Sequence, residues 1–330
     1  MKSSAFGLMI LVIAVLISNG CQKQPEKYTG PVEKITVSNI EEYSTLVWIA
    51  EHQGYFTANG LNVTNKEYPS GKLAADAMLK GEADISISAG FVFVSNAFDN
   101  PDLRILGSVA VVENVAVVAR KDRGILSPAD LKGKKIGVTR KSVSEFFLSL
   151  FLTYNQITLK DVELVNLDPK DMADSLLSGK VDAVSTWEPN VFAIRSRLGD
   201  NGISWSTQRG QKYYMLMLAR EKFIQEKPEA VKRFVKSIVK AEAFVKANNE
   251  IAKGILAKKY GYEPAYMDAA WPQYEFKVQL SQDSLLLFED QAQWRIKNNF
   301  TNASKIPNYL NYIYFDALEE IKPEAITIIR

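Results

Sequence analysis

The sequence predicts an α/β protein of two similar lobes, each a mostly parallel sheet flanked by helices. Three observations carry that reading. Strand-like and helix-like stretches alternate from residue 34 to about residue 200. Two segments within that region nearly repeat each other: ADAMLKGEAD at 75–84 and ADSLLSGKVD at 173–182. The chain, at 330 residues, is also longer than one hydrophobic core usually supports.

Taken in order, ITVSNI at 35–40 alternates and is rich in β-branched residues, as strands are. STLVWIAEHQGYF then places Leu46, Ile49, Ala50 and Tyr55 or Phe56 at helical spacing, with Ser44 or Thr45 able to cap the start. Gly54 and Gly60 break the chain before a short strand, LNVTNKEY. After Ser70-Gly71 the pattern predicts a helix over about 72–80, a left-handed stop at Gly81 and a strand at ADISISA. The second unit opens with SPADLKGKKIGVTRKS at 127–142. There Ser127 is an N-cap, Pro128 suits the first helical turn and Gly133 closes a short helix. KIGVT is a strand, and RKSVSEFFLSLFLTYN is a helix with Ser142 or Ser144 near its start. VELVNLD at 162–168 is a strand, and the second echo follows it. Each echo is therefore a helix, a glycine stop and a strand, the second half of a crossover unit.

The last third changes character. KPEAVKRFVKSIVKAEAFVKANNE aligns Val231, Phe234, Val235, Ile238, Ala241 and Val245 in one apolar stripe, opposite Lys232, Lys236 and Lys240. Further helices are expected over 250–260, 264–272, 281–299 and 308–321. With no alternation left, this region should pack onto an existing lobe.

Composition narrows the function classes. The chain is 47% hydrophobic and 24% charged, with 40 basic against 38 acidic residues, so it offers no strong field to a nucleic acid or an anionic membrane. His52 is the one histidine and Cys21 the one cysteine, and neither HExxH nor CxxC occurs, which argues against a metal site or a histidine-based catalyst. Neither GxGxxG nor GxxxxGK[ST] occurs, so no nucleotide cofactor is expected. At the N-terminus, Lys2 precedes an apolar run at 5–17, shorter than the roughly 20 residues a transmembrane helix needs and suited to a secretory signal. The following SNGC resembles a bacterial lipoprotein signal, in which the cysteine, here Cys21, is lipidated; Ser18 stands where such signals usually carry leucine. Residues 1–21 are thus read as the signal, and the polar, proline-containing 22–33 as a tether.

Candidate ligand contacts lie on small, polar loops at the C-terminal ends of predicted strands, which line the crevice in open α/β sheets. They are Tyr43, Ser44 and Thr45; Ser70 and Gly71; Ser88, Ala89 and Gly90; Thr139, Arg140, Lys141, Ser142 and Ser144; and Thr186, Trp187 and Glu188. Several precede helices, whose N-terminal N–H groups favour an anion. Each loop could equally serve as a helix cap; together they point to a cleft. Arg140, Lys141 and the serines would suit a sulfonate, nitrate or carboxylate. Trp187, Tyr43 and Glu188 would suit a planar, nitrogen-rich ring.

AEHQGYFTANGLNV, PSGKLAADAMLKGEADISISAG, LSPADLKGKKIGV, LLSGKVDAVSTWEP and KPEAVKRFVKSIVKA stand in the order seen in one family. From residue 35 to about 250 the sequence resembles the periplasmic substrate-binding lipoproteins of ABC transporters. The group is the one that holds nitrate-, taurine-, aliphatic-sulfonate- and thiamine-pyrimidine-precursor-binding proteins. The resemblance implies a type II periplasmic-binding fold, with lobe one at 34–120 plus 216–330, lobe two at 121–215, and hinges near VVARKD and YYMLMLAR. It implies a monomer without cofactor or enzymatic activity. Such a protein closes on a small solute and delivers it to permease and ATPase subunits from the periplasmic face of the inner membrane or the cell surface, where Cys21 anchors it. Glu113 and Asn114, before the first crossing, join the contact loops. The ligand stays open between an organic anion and a pyrimidine, and a sensor module serving a signalling partner is a further alternative. Pyrimidine-precursor synthases of this fold use a cysteine-rich iron motif and histidines that this chain does not have.

Overall fold

The closing aspartate of each echo does the same structural work. Asp84 N donates to Thr36 O at 2.8 Å while Thr36 N donates to the Asp84 carboxylate at 2.8 Å. Asp182 N donates to Lys135 O at 2.9 Å while Lys135 N donates to the Asp182 carboxylate at 3.0 Å. Each aspartate thus pins its own strand beside a parallel neighbour, the strand that carries Thr36 for Asp84 and the strand that starts at Lys135 for Asp182. Gly81 and Gly179, at φ 82° and 78°, make the left-handed turns that deliver the chain to these clamps.

A computed structural model describes residues 28–330. The signal segment with Cys21, and the tether as far as residue 27, lie outside the described residues. The strands are β1 (Glu33–Asn39), β2 (Leu61–Glu67), β3 (Ile85–Ala89), β4 (Leu103–Val112), β5 (Val115–Arg120), β6 (Lys135–Val138), β7 (Glu163–Asn166), β8 (Ala183–Trp187), β9 (Gly202–Ser206), β10 (Tyr213–Arg220) and β11 (Tyr274–Glu275). They form two sheets, ordered β11-β4-β10-β3-β1-β2 and β7-β6-β8-β5-β9. Without β11, the first reads β2-β1-β3-β10-β4, the same arrangement as the second. In each, a parallel set is interrupted by one antiparallel strand: β10 pairs antiparallel with both β3 and β4, and β5 with both β8 and β9. Those two strands have just crossed from the other lobe. They enter at the cleft end of the sheet, where strands fed by crossover helices leave it, and so run the opposite way. The sheets are accordingly mixed.

This geometry moves the expected boundaries. VVARKD begins inside β5, which belongs to the second sheet, and YYMLMLAR is β10, which belongs to the first. The chain instead crosses at Glu113-Asn114 and again between β9 and β10, over 207–212. Both expected hinges turn out to be buried central strands, whose apolar runs reflect burial on two faces.

The C-terminal region packs on the first lobe. Helix Pro228–Ala247 buries the stripe from Val231 to Val245, with Phe234 stacked on Phe56 at 5.4 Å between ring centroids. Fully burying side chains of this size contributes about 1.5–3 kcal/mol each. Helices Asn249–Tyr260, Pro264–Ala270 and Gln282–Lys297 follow as expected. The stretch 308–321 does not form one helix; a turn at Tyr309–Tyr312 and a helix at Asp316–Ile321 replace it. Between them Ile313 forms a β-bridge with Ile105, and Tyr314 N donates to Ile105 O at 3.0 Å, so the edge of β4 holds the chain extended. Among the described residues no helix is long and apolar enough to cross a membrane.

Candidate ligand-binding cleft

Two helix starts lie side by side in lobe one, and the first turn of a lobe-two helix packs against one of them. In lobe one, the Ser70 hydroxyl accepts from Leu73 N at 3.3 Å and caps helix Gly71–Leu79. The Ser88 hydroxyl donates to Gly71 O at 2.9 Å. A β-carbon on Gly71 would lie 3.5 Å from Ala89 N, so these two loops touch backbone to backbone. Gly90 opens helix Gly90–Ala97, and a β-carbon there would come within 2.7 Å of the Phe288 ring. In lobe two, the Ser142 hydroxyl accepts from Ser144 N at 3.2 Å, starting helix Val143–Tyr154, and the Ser185 hydroxyl ties that start to β8 by donating to Ser144 O at 3.2 Å. Phe91 and Phe146, in the first turns of their helices, lie 6.0 Å apart between centroids across the lobe boundary. Helix starts carry a partial positive charge, so this grouping favours an anion between the lobes.

A polar knot stitches the crossings together. Asn114 is buried; its Nδ2 donates to Tyr43 Oη at 2.7 Å and to Tyr274 Oη at 3.1 Å, and its Oδ1 accepts from Tyr213 Oη at 2.9 Å. Tyr43 in turn donates to Glu188 O at 3.0 Å, joining the first loop of lobe one to the last loop of lobe two. Gln208 Oε1 accepts from Val115 N at 2.9 Å, and its Nε2 donates to Val112 O at 3.0 Å, bracing one crossing against the other.

The remaining candidates divide. Trp187 is half-buried and packs against the hydrophobic core cluster that joins the two lobes. The Thr186 hydroxyl is buried without a hydrogen-bond partner. Ser44 is buried and accepts from Ile40 N at 3.1 Å, Thr45 is buried beside it, and Thr139 donates to Leu167 O at 2.9 Å. Glu188 faces the hinge: its Oε2 accepts from Phe192 N at 2.9 Å and its Oε1 from Gln273 Nε2 at 3.4 Å. Burial pushes this carboxyl above its ordinary range, against the pull of those hydrogen bonds and of Arg195. Glu113, Asn114 and Glu188 line an inter-lobe cavity of about 470 Å³ with Arg195, Lys212 and Gln273.

Arg140 and Lys141 are not available to a ligand in the simple way their charges suggest. Arg140 Nε pairs with Glu145 at 2.8 Å, and Glu145 also accepts from Lys141 N at 2.5 Å. Both cations stand over the Phe300 ring, at 5.9 and 5.6 Å from its centroid. Glu145 is buried, and that burial raises its pKa. Sequence reasoning missed Glu145, Gln208, Tyr213 and Tyr274. Only Glu145 carried a local signal, since Ser142-x-x-Glu145 has the spacing of a capping box.

Residues 41–252 match the model of the family described as NMT1/THI5 like. The chain belongs to that family. A Brucella abortus protein named as a binding protein is 28% identical over 230 residues, covering 68% of this chain and 70% of that one. A Bacillus subtilis protein named for binding aliphatic sulfonates is 25% identical over 245 residues, covering 73% and 74%. Among solved structures, the periplasmic aliphatic sulphonate binding protein SsuA of Escherichia coli matches with a TM-score of 0.71 at 19% identity, over 86% of this chain and 98% of that one. The chain therefore has the periplasmic-binding-protein fold. The desulfurization enzyme DSZB shares it, with a TM-score of 0.61 at 17% identity over 87% of this chain and 99% of that one, so the fold by itself does not separate capture from catalysis.

Proposed function

We propose that the chain is the extracytoplasmic solute-binding component of an ABC importer and captures a small organic anion of the sulfonate class between its lobes. The observation that carries this is the grouping of the helix starts at Gly71, Gly90 and Val143 at the lobe boundary. A ligand held there touches both lobes, and that differential contact stabilises closure. Relatives named for sulfonates support the ligand class. The arrangement of Glu188 favours an anion over a planar ring, because the carboxylate that would read ring nitrogens caps helix Asn190–Leu198 instead. Arg140, neutralised by Glu145, plays a minor part, and the helix starts and Trp187 hold the ligand. The closed, loaded protein docks as a monomer on permease and ATPase subunits.

The test is calorimetric titration of the chain lacking residues 1–21 with ethanesulfonate, taurine, nitrate and an aminopyrimidine. Sulfonates bind, and Trp187→Ala weakens that binding at least about tenfold, about 1.4 kcal/mol, without unfolding the protein. Binding of the pyrimidine alone would sink the anion reading, and unchanged affinity would remove Trp187 from the site.

Cys21, in this reading, carries the lipid that keeps the protein at the periplasmic face of the inner membrane. Cys21→Ser then moves the protein to the soluble fraction. A variant still found with membranes would make the signal segment itself the anchor.

A further inference from the structure

Helix Gln282–Lys297 carries Gln291 and Arg295 one turn apart, hence on one face. That face is turned into lobe one: Gln291 is 0% and Arg295 5% exposed. Neither amide atom of Gln291 has a hydrogen-bond partner, and neither do Nε and Nη1 of Arg295. Arg295 Nη2 donates to Phe300 O at a long 3.3 Å, and the guanidinium lies 5.4 Å from the Phe91 ring centroid. Tyr309, 2% exposed, packs on Phe288, one turn before Gln291, at 5.7 Å between centroids, and its hydroxyl is unpartnered as well. Burial holds that phenol protonated, so it is a donor.

Buried polar groups in folded proteins are nearly always paired, and an unpaired buried guanidinium is the most costly exception. Here an amide and a phenol without partners stand with a cation that has one long hydrogen bond and two unpartnered nitrogens. Phe91, Phe93 and Phe288 surround them with apolar surface, which strengthens any charge interaction made inside. The nearby carboxylate of Glu145 is already taken by Arg140 and Lys141 N.

We propose that Gln291, Arg295 and Tyr309 form a second, buried anion site behind the Phe91 wall of the cleft, taking a halide or a single carboxylate. The occupant is either a free monovalent ion or the far end of a ligand with two anionic groups. The first case is independent of what the cleft binds; the second rests on the anion reading of the cleft.

The experiment measures the melting temperature of the full chain as bromide replaces gluconate at constant ionic strength. A saturable rise of about 2 °C or more is expected, as for any ligand that binds only the folded state. Arg295→Met abolishes it. Gln291→Glu places a carboxylate beside Arg295 and supplies the anion internally, so its melting temperature in gluconate rises and bromide no longer moves it. An anomalous bromide peak between the three side chains in crystals grown from sodium bromide supports the free-ion case. For the second case, 3-sulfopropionate binds at least about fivefold tighter than ethanesulfonate to the parent, and equally to Arg295→Met. The proposal is overturned if neither bromide nor 3-sulfopropionate distinguishes parent from Arg295→Met, whatever the melting temperature of Gln291→Glu.

Discussion

Glu188 keeps a carboxylate at 4% exposure, and its surroundings tell what that costs. Burial is the leading influence and raises its pKa; the Phe192 N–H and the Gln273 amide offset only part of it. An acid whose folded pKa is raised imposes no penalty below its unfolded pKa of about 4.3. As pH rises from there through the folded value, the unfolded chain ionises first and stability falls. Glu188→Gln keeps an oxygen for the Phe192 N–H and removes the charge. The variant is therefore predicted to be more stable than the parent at pH 7 and equal to it at pH 4, by urea denaturation at both. Glu145 titrates in both proteins and cancels from the comparison. A gap of the same size at both pH values would show that ionisation at Glu188 is not the cause.

At the scale of elements, the two echoes show what a short pattern can and cannot carry. Leu-x-Gly-x-x-Asp announces a helix, a left-handed glycine and a strand, and both copies form them. The partner of each aspartate was not legible, because it lies 48 residues upstream for Asp84 and 47 for Asp182. Strand direction was equally silent: an apolar run such as YYMLMLAR reads the same whether it joins a sheet parallel, antiparallel or as a crossing. Ile313 lies in a stretch with helical spacing, yet the open edge of β4 claimed it, as tertiary pairing often overrides local preference. The same division runs through the candidate cleft. Small and hydroxyl residues after strands marked the helix starts, since capping and ligand approach require the same residue types there. Asn114 joins Tyr213 and Tyr274 across 99 and 160 residues of sequence, a relation no local spacing encodes. Arg140 drew attention by its charge, while Glu145, which neutralises it, sat five positions away in plain sequence.

For the molecule as a whole, the question is what keeps two lobes together that are joined by the crossings at 113–114 and 207–212. The contacts spanning the boundary include Tyr43 to Glu188 O at 3.0 Å, Gln273 to Glu188 at 3.4 Å, Phe91 on Phe146 at 6.0 Å, Trp294 on Phe146 at 5.7 Å, Tyr213 on Phe147 at 6.3 Å, Phe192 on Tyr266 at 5.4 Å, and the two cations over Phe300. A hydrogen bond of this kind contributes about 0.5–1.5 kcal/mol, an aromatic pair about as much, and an exposed cation–π contact about 0.5–1 kcal/mol. Their sum is on the order of 4–10 kcal/mol before the ordering of the side chains is subtracted, and the net remainder lies in a range that a bound ligand can shift. Tyr43→Phe probes this balance: the ring keeps its edge contact with Tyr274 at 5.6 Å, while the bond to Glu188 O and the one accepted from Asn114 Nδ2 are both lost, Asn114 keeping its bonds to Tyr274 and Tyr213. The predicted outcome is an open-to-closed ratio raised by about fivefold, corresponding to about 1 kcal/mol. Single-molecule energy transfer between dyes on the two lobes reads that ratio without any ligand. Where the closed state is the minor one, ligand affinity drops by the same factor, because apparent affinity scales with the population able to bind. An unchanged distance distribution would place the control of closure in the Gln208 brace between the crossings, which the substitution leaves intact.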